Sequence, residues 1–146
     1  MDNFKVAVQF PKRPAVFDPS SEMNFEFAIL GSELQLIHAI EVSVLWHTEG
    51  KGNEDVGIHY FNRLGKRDLV HRNLQEKFRY ATFLPPSPLT YNGLILSIEW
   101  LVRVKLFLDR GRALQFDEPF TLGSQLSAVE LSEMSNAGAV VEGDEE

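Results

Sequence analysis

Cysteine is absent from the 146-residue sequence. Its absence excludes disulfide frameworks, thiol nucleophiles, iron–sulfur clusters and cysteine-based zinc sites. Long apolar runs are also absent, because Glu99, Arg103 and Lys105 interrupt the most apolar stretch, and no membrane-spanning helix is predicted. The N-terminus lacks a basic region followed by an apolar one, so we expect no signal peptide and a cytoplasmic location.

Positive charge is scarce, since 14 lysines and arginines stand against 21 aspartates and glutamates, for a net charge of −7. This balance argues against non-specific nucleic-acid binding, and we expect no nucleic-acid partner. Six of the acids fall within residues 127–146, which contain no lysine or arginine, so residues 1–126 are nearly neutral. We predict a folded domain over residues 1–126 and a disordered acidic tail over residues 127–146.

Alternation of apolar and polar residues dominates the first 122 positions. Every even-numbered residue from Leu94 to Leu108 is apolar, whereas the odd-numbered residues are mixed. A period of two predicts a strand whose even face packs on a core, including Trp100. Trp46 lies on the apolar face of an earlier run and is also assigned to the core. Similar runs occupy residues 4–10, 25–30, 34–46, 58–63, 78–80 and 114–122.

About seven strands separated by glycine-rich and proline-rich turns predict an all-β fold, an antiparallel immunoglobulin-like or arrestin-like β-sandwich. No convincing amphipathic helix is present. The segment 64–77 is compatible with either a helical turn or a polar loop, since Leu69, Val70 and Leu74 are its only regularly spaced apolar residues. Both interpretations stay open at this point.

Charged residues on predicted strands suggest a first candidate binding surface. Arg103 and Lys105 lie on the mixed face of the long strand, and Lys77 and Arg79 lie on another strand. If those strands pair, the four cations form a basic strip able to bind an acidic or phosphorylated peptide. The alternative is ordinary solvated charge, paired with acids on neighbouring strands.

Apolar residues on the mixed face suggest a second candidate surface. Ile95, Leu101 and Phe107 share that face with the cations, and Ile37 and Leu45 lie on the outer face of the 34–46 run. Such residues indicate cover by another strand, the tail or a partner. The loop 49–56 is a third candidate contact. The predicted partner-binding residues are Lys77, Arg79, Leu101, Arg103, Lys105, Phe107, Glu49, Lys51, Glu54 and Asp55.

Histidines offer a metal-binding alternative. His47 and His59 could meet across neighbouring strands, with Glu49 or Asp55 as a further ligand. The competing interpretation places both histidines on the solvent side of their strands. The sequence contains no HxH, HExxH, P-loop or GxSxG motif. We therefore predict no enzyme activity and no cofactor.

The segment "FLPPSPLTYNGLILSIEWLVRVKLFLDRG" combines a proline-rich entry, an aromatic–glycine turn and a long alternating strand. Its characteristic residues are Phe83, Leu84, Pro85, Pro88, Tyr91, Gly93, Ile98, Trp100, Val102, Val104, Asp109 and Arg110. This combination resembles the N-terminal lobe of arrestin-like β-sandwiches, an architecture shared by bacterial sporulation-control proteins. The resemblance implies non-enzymatic adaptor or scaffold binding. The chain is too short for two arrestin lobes, and no PPxY motif for ubiquitin ligases is present.

Three functions follow as hypotheses. The first is a single-lobe adaptor or scaffold module that binds protein partners, including peripheral association with a membrane through a partner. The second is a structural subunit of a homo-oligomer or hetero-oligomer, formed through exposed strand edges. The third is a metal-binding β-sandwich that uses His47 and His59.

Overall fold

The computed structural model describes residues 4–52 and 54–123, so the predicted tail over 127–146 lies outside the described residues. Within them the chain is mostly strand, and the predicted all-β fold is confirmed. The strands are β1 (Lys5–Gln9), β2 (Val16–Phe17), β3 (Glu22–Leu30), β4 (Ile37–Gly50), β5 (Val56–Leu64), β6 (Phe78–Phe83), β7 (Tyr91–Asn92), β8 (Leu96–Leu108) and β9 (Ala113–Leu122). No helix in the described part of the chain is long and apolar enough to cross a membrane.

Two sheets form the sandwich. The small sheet has the strand order β1-β3-β6, and the large sheet has the order β2-β9-β8-β4-β5, with β7 also paired to β8. Neighbouring strands are antiparallel except for the short β2–β9 pair, which is parallel. Short 3₁₀ turns, Leu34–Leu36 and Asp109–Gly111, precede β4 and follow β8.

The core lies between the sheets, where the predicted alternation of β8 places it. Trp100 and the other even-numbered residues through Leu108 are completely buried. They face Phe25, Phe27 and Ile29 of β3, which belong to the same cluster of buried side chains. Burial of each such side chain contributes about 1.5–3 kcal/mol. The Trp100 indole N–H also donates to the Pro88 carbonyl at 2.7 Å, so its one polar atom is satisfied.

The start of the long strand differs from the prediction. β8 begins at Leu96, where Gly50 is its last partner on β4, and the preceding residues form a turn closed by the Gly93 N–H on the Leu96 carbonyl at 3.1 Å. Leu94 and Ile95 therefore lack a strand on either side and are fully and largely exposed, respectively. In the sequence, apolar residues still occupy the even positions in this turn, although the strand itself begins only at Leu96.

Two strand irregularities overturn further face assignments. The β4–β8 register shifts between Ile37 and Ala39, at His38, and this shift places Ile37 in the core instead of on the outer face. The β4–β5 register shifts between Val44 and Leu45, whose partners are Tyr60 and Ile58. As a result Tyr60 packs against the core while Ile58, two residues away, is 63% exposed on the outer face.

The segment 64–77 contains both of the structures that were left open. One turn of helix, α1 (Lys66–Val70), is followed by a loop that leads into β6. The Asp68 carboxylate accepts the Gly65 N–H at 2.8 Å and so satisfies a free donor at the start of the helix. Leu69 is buried against the core, whereas Val70 is 73% exposed.

Polar side chains join the sheets at the β5–β6 side of the sandwich. Tyr80 donates its hydroxyl to the Asn62 amide oxygen at 3.1 Å, and its ring stacks on Phe25. Burial, with a smaller contribution from neighbouring Tyr60, raises the pKa of Tyr80 to about 12. The neutral phenol is therefore the form that the folded protein favours.

Because the folded chain holds the Tyr80 proton more tightly than the unfolded chain, stability should fall as the pH rises from about 10 to about 12. In this interval the unfolded phenol ionises while the folded phenol stays neutral. We expect the urea midpoint of Tyr80→Phe to fall less between pH 9 and pH 11 than that of the wild-type protein. Tyr91→Phe, at an exposed position, is the control and should behave like wild type. Equal falls of the urea midpoint in all three proteins would contradict the assignment of this pH dependence to Tyr80.

Gly57 leaves space for the indole of its cross-strand partner Trp46. A Cβ atom at Gly57 would overlap the Trp46 ring. We predict that Gly57→Ala lowers the free energy of unfolding by about 1–3 kcal/mol, the usual cost of overpacking, in urea titrations. Gly123→Ala is the matched control, because its new Cβ would meet its nearest atom at 4.0 Å. A Gly57→Ala protein as stable as that control would refute the packing argument.

Candidate partner-binding surface

The outer face of the large sheet, the side turned away from the core, carries a row of apolar residues across four strands. Ile58, Leu45, Leu101 and Pro119 are successive cross-strand partners on β5, β4, β8 and β9. Leu45 and Leu101 are 2% and 6% exposed although they lie outside the core cluster. The predicted contact residue Leu101 is therefore covered by its neighbours, and Ile58 is the accessible side chain at the strand-edge end of the row.

Two arginines on the same face are paired with acids on neighbouring strands. Arg103 donates to both carboxylate oxygens of its cross-strand partner Asp117, at 2.9 and 3.2 Å. Arg63 donates to Glu41 at 2.6 Å on the β4–β5 side. The Phe107 ring lies beneath two cations, with Arg63 at 5.2 Å and Lys105 at 5.6 Å from its centroid. Leu101, Arg103, Lys105 and Phe107 thus share one face, as their spacing predicts.

The predicted basic strip does not form. Lys77 immediately precedes β6 and Arg79 lies on it, and both contact Glu26 of β3 in the small sheet, at 2.8 and 3.4 Å. The hydrogen bond from Lys77 and the two positive charges hold the pKa of Glu26 below its ordinary value. Arg103 and Lys105 lie on the other sheet, because β6 pairs with β3 and β8 pairs with β4 and β9. The condition for the strip, that the two strands pair, is therefore not met, and the alternative of charges paired with neighbouring acids describes Lys77, Arg79 and Arg103.

Strand β5 forms an open edge of the large sheet, since its partner within the described residues is β4 alone. Its first six residues include Val56, Ile58 and Phe61, which are 59%, 63% and 51% exposed; these three residues are called the edge patch. The sequence pattern does not predict the patch, because regular alternation over residues 58–63 would put Ile58 on the same face as Tyr60, which packs against the core. The sequence does contain one signal of the patch: apolar residues occupy an even position at Ile58 and an odd position at Phe61, on either side of His59.

The predicted loop contacts lie at one end of the large sheet. All four are exposed: Glu49 lies at the end of β4, and Lys51, Glu54 and Asp55 lie in the connection to β5. The loop is closed by the Asp55 N–H on the Thr48 hydroxyl at 2.8 Å and by the Thr48 N–H on the Asp55 carbonyl at 2.9 Å. It lies beside the Leu94–Ile95 turn, because Gly50 pairs with Leu96.

The two histidines of the metal-binding hypothesis face opposite sides of the large sheet. His59 contacts the core Trp100 edge-on, and its Nε2 lies 2.7 Å from the Phe83 carbonyl of the small sheet. His47 lies on the outer face, with its Nε2 3.3 Å from the Glu99 carboxylate. The hypothesis of a metal site shared by His47 and His59 is therefore wrong, because the register shift in β5 turns His59 inward. The group that does converge consists of His47, Glu49 and Glu99.

Comparisons with known proteins identify a similar fold but do not assign the chain to a family. No protein-family model matches the chain, and no curated protein matches it. Among solved structures, the sporulation control protein Spo0M of Bacillus subtilis is similar, with a TM-score of 0.53 and 13% identity over 88% of this chain and 55% of that one. This chain thus spans about half the length of Spo0M. The fold is a two-sheet β-sandwich of the kind present in Spo0M.

Weaker similarities extend to parts of larger proteins. A β-glucosidase of Listeria innocua is 13% identical over 84% of this chain and 16% of that chain, with a TM-score of 0.37. The alkylpurine DNA glycosylase AlkC of Pseudomonas fluorescens is 13% identical over 83% of this chain and 30% of that chain, also with a TM-score of 0.37. At these scores the similarity carries no argument about activity.

The placement of Lys77 and Arg79 on one sheet and of Arg103 and Lys105 on the other predicts that the two groups act independently. We expect the losses of stability in Lys77→Ala and Arg103→Ala to be small and to add in the double variant, because the pairs share no partner. Arg103→Ala combined with Asp117→Ala should deviate from additivity, since those residues contact each other. Urea midpoints of the single and double variants provide the measurement. Coupling between Lys77 and Arg103 as large as that between Arg103 and Asp117 would contradict the two-sheet placement.

Proposed function

We propose that the protein is a non-enzymatic adaptor or scaffold module, a single arrestin-like lobe that binds protein partners through the open edge of β5. The observation that carries this proposal is the edge patch on β5: Val56, Ile58 and Phe61 are each more than half exposed on a nine-residue edge strand. Edge strands present unpaired backbone donors and acceptors to other chains. An extended peptide segment of a partner is the ligand that such an edge accepts.

Backbone pairing and side-chain contact would act together in this complex. The added strand would extend the large sheet by hydrogen bonds to β5, while its alternate side chains would cover the edge patch. Buried Leu45 and Ser43, which are the partners of Ile58 and Phe61 on β4, provide a rigid support behind the patch. Main-chain bonds would supply affinity without sequence preference, and Ile58 and Phe61 would select apolar side chains.

The other edge of the large sheet is less suited to such pairing. There β2 covers β9 through hydrogen bonds from Thr121 N–H to the Ala15 carbonyl and from Gly123 N–H to the Phe17 carbonyl, both 2.9 Å. β9 also contains Pro119, which lacks a backbone donor. β5 contains no proline and carries its charged residue, Arg63, near its far end in an ion pair with Glu41.

The resemblance of residues 83–111 to arrestin-like lobes and the fold similarity to Spo0M both support a binding role. Spo0M is described as a sporulation control protein, a regulatory role that fits a binding module. The proposal includes a cytoplasmic location, consistent with the absence of cysteine.

Charge placed on the edge patch should weaken partner binding while the fold persists. We expect Ile58→Lys and Phe61→Lys to lose at least about tenfold in affinity, because partner burial would require desolvation of an ammonium group. The matched control is Leu30→Lys, a 54% exposed apolar position on the small sheet, which should bind like wild type. Partners are first recovered from a lysate of the cells that make the protein and then purified for titration.

Hydrogen exchange identifies the contact directly. Amides of β5 should gain protection in the purified complex, whereas those of β1 and β3 should not. Unchanged exchange in β5, or full binding by Ile58→Lys, would refute the proposal. A concentration-dependent dimer that Ile58→Lys disrupts, with no other partner recovered, would assign the same edge to self-association and support the structural-subunit alternative.

A further inference from the structure

We propose that His47, Glu49 and Glu99 bind one zinc-class divalent cation on the outer face of the large sheet. Each of the three side chains contributes one ligand atom, and these atoms all lie within 4.8 Å of one another. One imidazole and two carboxylates make up a donor set suited to zinc and related transition metals. Three protein ligands leave a fourth position open to water or another molecule.

Strand register, and not loop conformation, brings the ligands together. His47 and Glu49 are two residues apart on β4 and therefore project from the same face. Glu99 is the direct cross-strand partner of His47 on β8, and Ser97 is the partner of Glu49. The site is thus fixed by the most extensively paired strands of the protein, which is the kind of rigid support that metal sites require.

Small side-chain movements complete the geometry. Zinc bonds to nitrogen and oxygen ligands are about 2.0–2.2 Å, so two ligands of one ion lie at most about 4.4 Å apart. The Glu99 side chain is 49% exposed and Glu49 is exposed, so both carboxylates are free to rotate. The His47 side chain is only 20% exposed, so it has less freedom to move than the two carboxylates.

The charge balance of the site also favours a cation. Elsewhere in the described chain, Glu26, Glu41 and Asp117 each pair with lysine or arginine. The nearest basic group to the Glu99 carboxylate is the His47 imidazole, at 3.3 Å, and within the described residues Glu49 forms no ion pair. Two carboxylates therefore lie together on a sheet face without a permanent positive charge between them, and a bound cation supplies that charge.

Isothermal titration of the full-length, untagged and chelator-treated protein with Zn²⁺ tests the site. We expect one ion per chain, with affinity reduced about tenfold or more in both His47→Ala and Glu99→Gln, since each removes a direct ligand. The matched controls are His71→Ala and Glu54→Gln, exposed residues of the same types outside the cluster, and both should bind like wild type. Co²⁺ substitution should give visible absorption bands that His47→Ala removes.

Separate outcomes would overturn the inference. One is Zn²⁺ binding that is equal in wild type and in the His47→Ala, Glu49→Gln, Glu99→Gln triple variant, which would assign the ions to other acids of the chain. Another is preferential binding of Ca²⁺ or Mg²⁺, which would exclude the zinc class. Circular dichroism of Glu99→Gln checks that the fold is retained. Glu49→Gln and Glu99→Gln change neither the edge patch nor its partners on β4, whereas His47 is the cross-strand partner of Val56. Failure of zinc binding therefore leaves the partner-binding proposal standing, and Glu99→Gln is the variant that separates the two.

Discussion

The pairing of β4 with β8 is the constraint on which the rest of the structure depends. The two strands run side by side from Ile37 opposite Leu108 to Gly50 opposite Leu96. Their inner residues, such as Val42, Val104 and Trp100, form the centre of the core. Because strand side chains alternate between faces, the same pairing fixes every outer-face neighbour. A slip of one residue would bury charges such as Arg103 and expose the core, so the register is strongly specified.

Both proposed sites are consequences of this register. His47 meets Glu99 because Trp46, which packs against the core, meets the core residue Trp100 one position away. The edge patch exists because β4 uses its other side to pair with β5, which leaves β5 with a free edge. The inner face therefore supplies stability while the outer face and the edge remain available for chemistry. Both proposed sites therefore use residues that the core holds in place but does not bury completely.

Irregularities in the strands are as informative as their regular parts. The extra residues at His38 and His59 interrupt alternation once on each of two strands. At His38 the ring contacts the Leu108 carbonyl at 2.8 Å, and at His59 it contacts the Phe83 carbonyl at 2.7 Å, so each histidine satisfies a main-chain acceptor. These contacts give the two histidines structural roles and separate His59 from the outer-face cluster.

The amino-acid sequence alone determined the all-β class, the core face of the long strand and the burial of Trp100, because these depend on a local period of two. It also placed Arg103, Lys105 and Phe107 on one face for the same reason. Strand order is not a local property, so the sequence did not reveal that Lys77 and Arg79 belong to the other sheet. Nor did it reveal that His59 turns inward or that Glu99 lies opposite His47. Those facts were decided by tertiary structure, because register shifts and strand partners depend on which distant segments pack together.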